Sequence, residues 1–130
     1  MAEEKAFSFL PIPDRSSKPR VKGITMCLDQ GLGLKNIEDL LTICAEYVDL
    51  WKLGWATTQL QSRDIVRKKV ELLRSHDISV CNGGTLLELS EHQDKAEELF
   101  TELVDIGCDF TEMSTGSMNF GSDRVFDLSN

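Results

Sequence analysis

Four residues whose side chains can do chemistry each stand at the end of a short apolar run: Asp29, Lys52, Asn82 and Glu112. Thr57, Thr85, Glu88 and Ser114 follow just beyond such ends. Carboxylates drawn from several separate ends are the hard oxygen donors that Mg²⁺ prefers. Lys52 stands between Trp51 and Leu53. An ammonium there loses hydration and favours its neutral form unless an anion or carboxylate offsets the loss. A lysine that snorkels past the strand end into water is the plainer alternative. For each acid alone, a solvated or helix-capping carboxylate is likewise plainer. As a set at one face they point to function, because buried charge is costly unless used. Gly83-Gly84-Thr85 could present backbone N–H groups to a phosphate, although a tight turn explains a lone Gly-Gly equally well. His76 and His92 fall at helix ends and read as surface residues, and Trp51 and Trp55 read as packing residues.

The elements that must position these residues follow from periodicity. Strand-like runs begin near Ile24, Val48, Ile78 and Cys108, spaced by 24, 30 and 30 residues. Between the first two, Asn36 can cap a helix with Ile37, Leu40, Leu41 and Cys44 on one face. Ser62 can cap a second helix, with Val66, Val70 and Leu73 on its stripe and Arg63, Arg67, Lys68 and Arg74 outside it. Ser90-Glu91-His92-Gln93 has the capping-box pattern and predicts a helix start, with Ala96, Leu99, Phe100 and Leu103 buried and Gly107 as the stop. Regular alternation of this kind implies right-handed βαβ units and a parallel sheet, whose strand carboxyl ends form the natural ligand site. Strand one is expected over Gly23–Leu28 and strand four over Cys108–Met113. Residues 1–22 hold all three prolines and the cluster Lys18, Arg20 and Lys22, and read as an irregular arm whose charges are solvated. Residues 119–130 read as an irregular tail in which Asp123 could cap a helix that has no room to form.

Composition narrows the class. The chain has 130 residues, 41% hydrophobic and 28% charged, as expected of one globular domain. A net charge of −8 argues against a nucleic-acid or anionic-membrane surface. Cys27, Cys44, Cys81 and Cys108 are widely separated, without a C-x-x-C pair, and read as reduced core residues. No run has the roughly 18 apolar residues of a membrane helix, and no signal peptide opens the chain, so a cytoplasmic protein is expected.

Four motifs occur in order. They are Gly23-Ile24-Thr25-Met26-x-x-Asp29-x-Gly31-Leu32, Tyr47-Val48-Asp49-x-x-Lys52-x-Gly54-Trp55, Gly83-Gly84-Thr85-Leu86-x-Glu88 and Glu112-x-Ser114-x-Gly116-Ser117. Together they resemble the phosphosulfolactate synthase family over about Pro19 to Met118. The resemblance implies a (β/α)₈ barrel and a Mg²⁺-dependent addition of sulfite to phosphoenolpyruvate. It implies catalytic parts for Lys52 and Glu88, substrate contacts from Lys52, Gly83, Gly84, Thr85 and Ser114, and Mg²⁺ held by Asp29, Glu88 and Glu112. Some relatives, including a heat-stress-associated plant branch, have other roles, so a non-catalytic protein acting through protein contacts is the alternative.

Two departures stand out. Asp77 takes a position where the family tends to have glycine. A barrel needs eight strands, and residues 23–118 supply about four parallel strands with three outer helices, a partial, truncated (β/α)₈ TIM-type barrel. Its phosphate loops after the last two strands would be missing. Its inner face and its edges at strands one and four would stay open, which predicts self-association. Two copies abutting like edges about a twofold axis would run antiparallel there and would not restore the barrel.

Overall fold

The computed structural model describes residues 4–118 and 121–129. Three short strands, β1 (Met26–Asp29), β2 (Leu50–Leu53) and β3 (Ser79–Asn82), form a parallel sheet in that order. The connecting helices are α1 (Leu34–Cys44) and α2 (Arg63–Arg74), and β3 is followed by α3 (Gly84–His92), α4 (Ala96–Ile106) and α5 (Ser122–Ser129). A single 3₁₀ turn, Thr57–Leu60, precedes α2. The α/β class is as expected.

The register decides which side chain faces where. Leu28 lies opposite Lys52, and Lys52 opposite Cys81; one step on, Asp29 lies opposite Leu53, and Leu53 opposite Asn82. Side chains alternate along a strand, so these two rows occupy opposite faces. Trp51, Leu53 and Val80 are buried with Ile37 and Leu41 of α1 and Val66, Val70 and Leu73 of α2, making the helix-covered core. The other face carries Met26, 50% exposed, Leu28, 44% exposed, and Phe110, 59% exposed. That face is open.

Several expectations need correction. Strand one begins at Met26 and reaches Asp29, and strand four shrinks to one parallel bridge between Cys81 and Phe110. Side chains take up the ladder's bonding groups there. Val80 N–H donates to the Asp109 carboxylate at 2.9 Å, and Glu112 N–H to the Asn82 side-chain oxygen at 3.4 Å. Helix α1 starts at Leu34 behind Gly33, so Asn36 lies inside it and caps nothing. The capping box at Ser90 is overturned as well. Ser90, Glu91 and His92 end α3, the Ser90 hydroxyl donates back to Leu87 O at 2.8 Å, and α4 starts after a turn at Asp94. The tail is a helix, α5, whose Arg124 pairs with Glu91 at the end of α3. Among the described residues there are thus three strands and five helices, with α3 and α4 in succession after β3, in place of four strands, three outer helices and an irregular tail; Asn119, Phe120 and Asn130 lie outside the described residues.

Ser62 caps α2 by accepting from Ile65 N–H, and Gly107 stops α4 in the left-handed conformation at φ 100°, both as expected. Asp77 also adopts a left-handed backbone, φ 54°, which a short polar side chain tolerates better than most where glycine would be free. The arm is largely exposed, Lys22 included, but Lys18 and Arg20 are tied to the body of the protein instead of being free in solvent. Arg20 donates to Asp49 at 2.7 Å and to the carbonyls of Ser16 and Glu46, and Lys18 donates to the carbonyls of His76 and Asp77. Arg15 reaches Thr25 and Asp49, so the arm straps the amino ends of β1 and β2.

Candidate functional site

Lys52 occupies the open face at the carboxyl end of β2. Its ammonium lies 2.8 Å from Glu112 Oε1, with the two side chains 19% and 34% exposed. The other Glu112 oxygen accepts from Gly84 N–H at 2.6 Å, so this carboxylate bridges the lysine and the first turn of α3. Both donors favour negative charge between them, the ammonium by its charge and the helix start through its unpaired N–H groups. Gly84 is needed for that approach. A Cβ there would meet the Ser114 side chain at 2.5 Å. Gly83 N–H is already taken by Leu53 O at 2.7 Å, and the Thr85 hydroxyl lies 3.2 Å from that of Ser117.

Glu88 is fully buried on α3 and is held by the loop after Glu112. One carboxylate oxygen accepts from the Ser114 hydroxyl and Gly116 N–H, and the other from Ser117 N–H and Met118 N–H. Burial alone would push this carboxyl up. The Ser114 hydroxyl and the three backbone N–H groups more than offset that and hold it below its ordinary value. Glu88 therefore orders the loop that carries Ser114. It presents no free oxygen to a ligand.

Asp29 lies on the other face of the sheet. It is buried beneath α2, where its Oδ1 accepts from Gly31 and Leu32 N–H at 2.7 and 2.6 Å. Its Oδ2 lies 3.4 Å from both the Lys69 ammonium and Trp51 Nε1. Lys69 is as buried as Asp29, and sequence reasoning missed it. The signal was there, since Val66, Lys69, Val70 and Leu73 stand at i, i+3, i+4 and i+7, which puts a lysine on the apolar stripe. The backbone here is tight too: a Cβ on Gly54 would meet Asp29 O at 2.5 Å.

These placements bear on the expected Mg²⁺. Among the described residues, no three of His, Cys, Asp and Glu gather as a metal would require. Asp29 faces the helices, Glu88 is saturated by its loop, and only Glu112 reaches the open face. Strand alternation separates the acids that were expected to converge, and the triad does not fit a single ion as arranged. Asn82 is buried in the same row as Asp29, and Thr57 donates to Gly54 O at 2.9 Å. The roomiest hollow among the described residues, about 770 Å³ between α4 and α5, is lined by Glu91, Asp94, Glu97, Glu98, Glu102 and Asp127 against one cation, Arg124, which is already paired with Glu91, an unsuitable wall for an anion. Lys52, the residue suited to an anion, is not on it.

The sequence comparisons agree with the motifs. The family model described as (2R)-phospho-3-sulfolactate synthase (ComA) matches residues 13–130. The chain belongs to the phosphosulfolactate synthase family. It is 44% identical over 119 residues to the phosphosulfolactate synthase of Methanothermobacter thermautotrophicus, a match covering 92% of this chain and 46% of that protein. It is 36% identical over 113 residues to that of Methanocaldococcus jannaschii, covering 87% and 43%, and 34% identical over 109 residues to that of Bacillus subtilis, covering 84% and 42%. The chain thus spans just under half the length of the curated relatives it matches.

Proposed function

We propose that Lys52, Glu112 and the start of α3 form the anion-handling corner of a lyase of the phosphosulfolactate synthase type, working within a completed (β/α)₈ barrel. The observation that carries this reading is the Lys52 ammonium on the open face, 2.8 Å from a carboxylate that a substrate anion can replace. The substrates are phosphoenolpyruvate and sulfite. The sulfite sulfur bonds to the methylene carbon, and the electron pair of the double bond moves toward the substrate carboxylate as an enediolate. Lys52 offsets that growing charge, an effect worth about 3 kcal/mol when donors are fixed in advance. A proton delivered to the neighbouring carbon completes the addition. Gly83, Gly84, Thr85 and Ser114 shape the wall around the lysine, and Glu88 keeps Ser114 in place. The Asp29, Glu88 and Glu112 set does not match one ion, and no step here runs through Mg²⁺.

Among the described residues no helix is long and apolar enough to cross a membrane, and all four cysteines are free. Burial pushes the Cys81 thiol up and that of Cys108 to about 11, which suits inert thiols in a reducing, cytoplasmic setting. A second reading, a non-catalytic protein acting through protein contacts, is favoured by one observation, the exposed apolar face with Met26, Leu28 and Phe110.

The deciding assay follows phosphoenolpyruvate in the presence and absence of sulfite. Sulfite-dependent consumption, reduced about 100-fold or more by Lys52→Met in a folded variant, is expected of the lyase. Consumption unaffected by Lys52→Met would remove the lysine from the mechanism. No consumption at any protein concentration would favour the second reading for the 130-residue chain.

A further inference from the structure

A smaller hollow lies on the helix-covered side of the sheet, away from Lys52. Its volume is about 260 Å³, and its wall is mainly apolar, from Leu53, Val66, Leu86, Leu99, Leu103 and Ile106. Leu53 belongs to the strand row that faces the helices, and Lys52 to the opposite row, so this space is separate from the anion corner. The wall is drawn from residues 53 to 108, and both helices that flank it, α2 and α4, are in place.

Gln61 stands on the same wall, one residue before the Ser62 cap. Its Oε1 is shut off from water without a hydrogen-bond partner, the one such buried side-chain atom among the described residues. A buried acceptor left unpaired is costly, and native chains keep few of them. Asn82 on the wall is already engaged, since its Nδ2 donates to Gly83 O and its Oδ1 accepts from Glu112 N–H. A water placed beside Gln61 would need two to four polar partners to stay. The apolar side chains around it supply none.

We infer that this hollow binds a small neutral molecule with an apolar body and one hydrogen-bond donor, and that the donor bonds to Gln61 Oε1. An amide oxygen only accepts, so the ligand must bring the N–H or O–H. The ligand is neutral because the two charged residues on the wall, Arg63 and Glu102, pair with each other at 2.6 Å. Neither is left to meet a charged ligand. An apolar cavity of about 150 Å³ holds benzene. The space here therefore takes a molecule of about two fused rings. The site owes nothing to Lys52 or to the lyase reading, and stands or falls separately from them.

The test titrates the 130-residue chain with indole, a two-ring donor, and with benzofuran, its acceptor-only isostere. Methyl ¹H–¹³C nuclear magnetic resonance reads where each binds. Indole is expected to shift the methyl groups of Leu53, Val66, Leu99 and Leu103, and benzofuran to bind about tenfold more weakly, since it leaves Gln61 unpaired. Gln61→Leu is expected to bind the two alike and to be at least as stable as the wild type in urea, because no bond is lost. Leu99→Phe fills the space and is expected to weaken indole about tenfold or more. No indole shifts at these methyl groups would overturn the site, as would binding indifferent to Leu99→Phe. Equal or tighter binding of benzofuran would overturn the donor rule, as would a preference for indole that survives in Gln61→Leu. A Gln61→Leu chain less stable than the wild type would show that the oxygen already has a partner, and would overturn the inference as well.

Discussion

Two lysine–carboxylate pairs lie at the same end of one small sheet, and they differ in almost every physical respect. Lys69 and Asp29 are 3.4 Å apart and each 1% exposed, sealed between β1 and α2. Lys52 and Glu112 are 2.8 Å apart and stand on the open face, within reach of solvent. The pairs differ because Asp29 and Lys52 fall on opposite phases of the pleat in neighbouring strands, with Leu28 and Leu53 as their opposite numbers. Ion pairs buried this deeply act by the penalty of breaking them, since either charge left alone is uncompensated. Partly exposed pairs contribute little to stability and can exchange one partner for a ligand. Residue type is therefore a poor guide to role here. The face of the strand decides it.

The comparison breaks most sharply at the sealed pair. Lys69→Met strands the Asp29 carboxylate with only Gly31, Leu32 and Trp51 as donors, and is expected to cost about 3 kcal/mol of unfolding free energy. Asp29→Ala is expected to cost more, about 4 kcal/mol, because it leaves a buried ammonium and also unties two backbone N–H groups. Urea unfolding at fixed protein concentration measures both. A loss below about 1 kcal/mol for Lys69→Met would mean that the pair is not structural and that the contrast between the two faces fails.

Glu88 adds pH to the same contrast, because it is a carboxylate buried against backbone donors instead of a lysine. Its pKa is depressed in the folded state, so its contribution is present in full above the ordinary carboxylate value. That contribution fades as pH falls from that value through the depressed folded one, and is absent below both. Glu88→Gln is expected to cost about 2 kcal/mol near neutral pH and to flatten this part of the acid-stability curve. Parallel curves for wild type and variant across the acid range would show that the carboxylate charge is not what the loop at Ser114–Met118 holds.

Much of this was legible in the sequence, and the gaps have physical causes. The places of β2, β3 and α2, the Ser62 cap and the Gly107 stop all follow from local rules, because caps and apolar stripes are written within a few residues. The facing of Asp29 against Lys52 is not local. It depends on the register between β1 and β2, which only the packed sheet defines. The partners of Glu88 lie 26 to 30 residues away, in a loop whose Ser and Gly carry no signal of their target. Strand four lost its ladder to the side chains of Asp109 and Asn82, a competition that strand propensity does not register. Lys69 was the avoidable miss, since a lysine inside an apolar stripe needs a buried partner and Asp29 was the acid at the neighbouring strand end.

The smallest expected effect sharpens the comparison best. Lys52→Met removes an ammonium as the sealed pair's variant does, yet on the open face Glu112 keeps Gly84 N–H and gains water. A double-mutant cycle with Glu112→Gln should therefore give a coupling in stability below about 1 kcal/mol. The same cycle read through phosphoenolpyruvate binding should behave otherwise. On the proposed reading Lys52→Met is expected to weaken binding strongly, with no restoration by a partner substitution, since the lysine would then act on the ligand and not through the fold. Titration followed by ³¹P nuclear magnetic resonance reads the binding, and urea unfolding reads the stability. Coupling as large as that expected at Lys69–Asp29, with binding unchanged, would mean that Lys52 is a second structural lysine and that both faces of the sheet serve the fold alone.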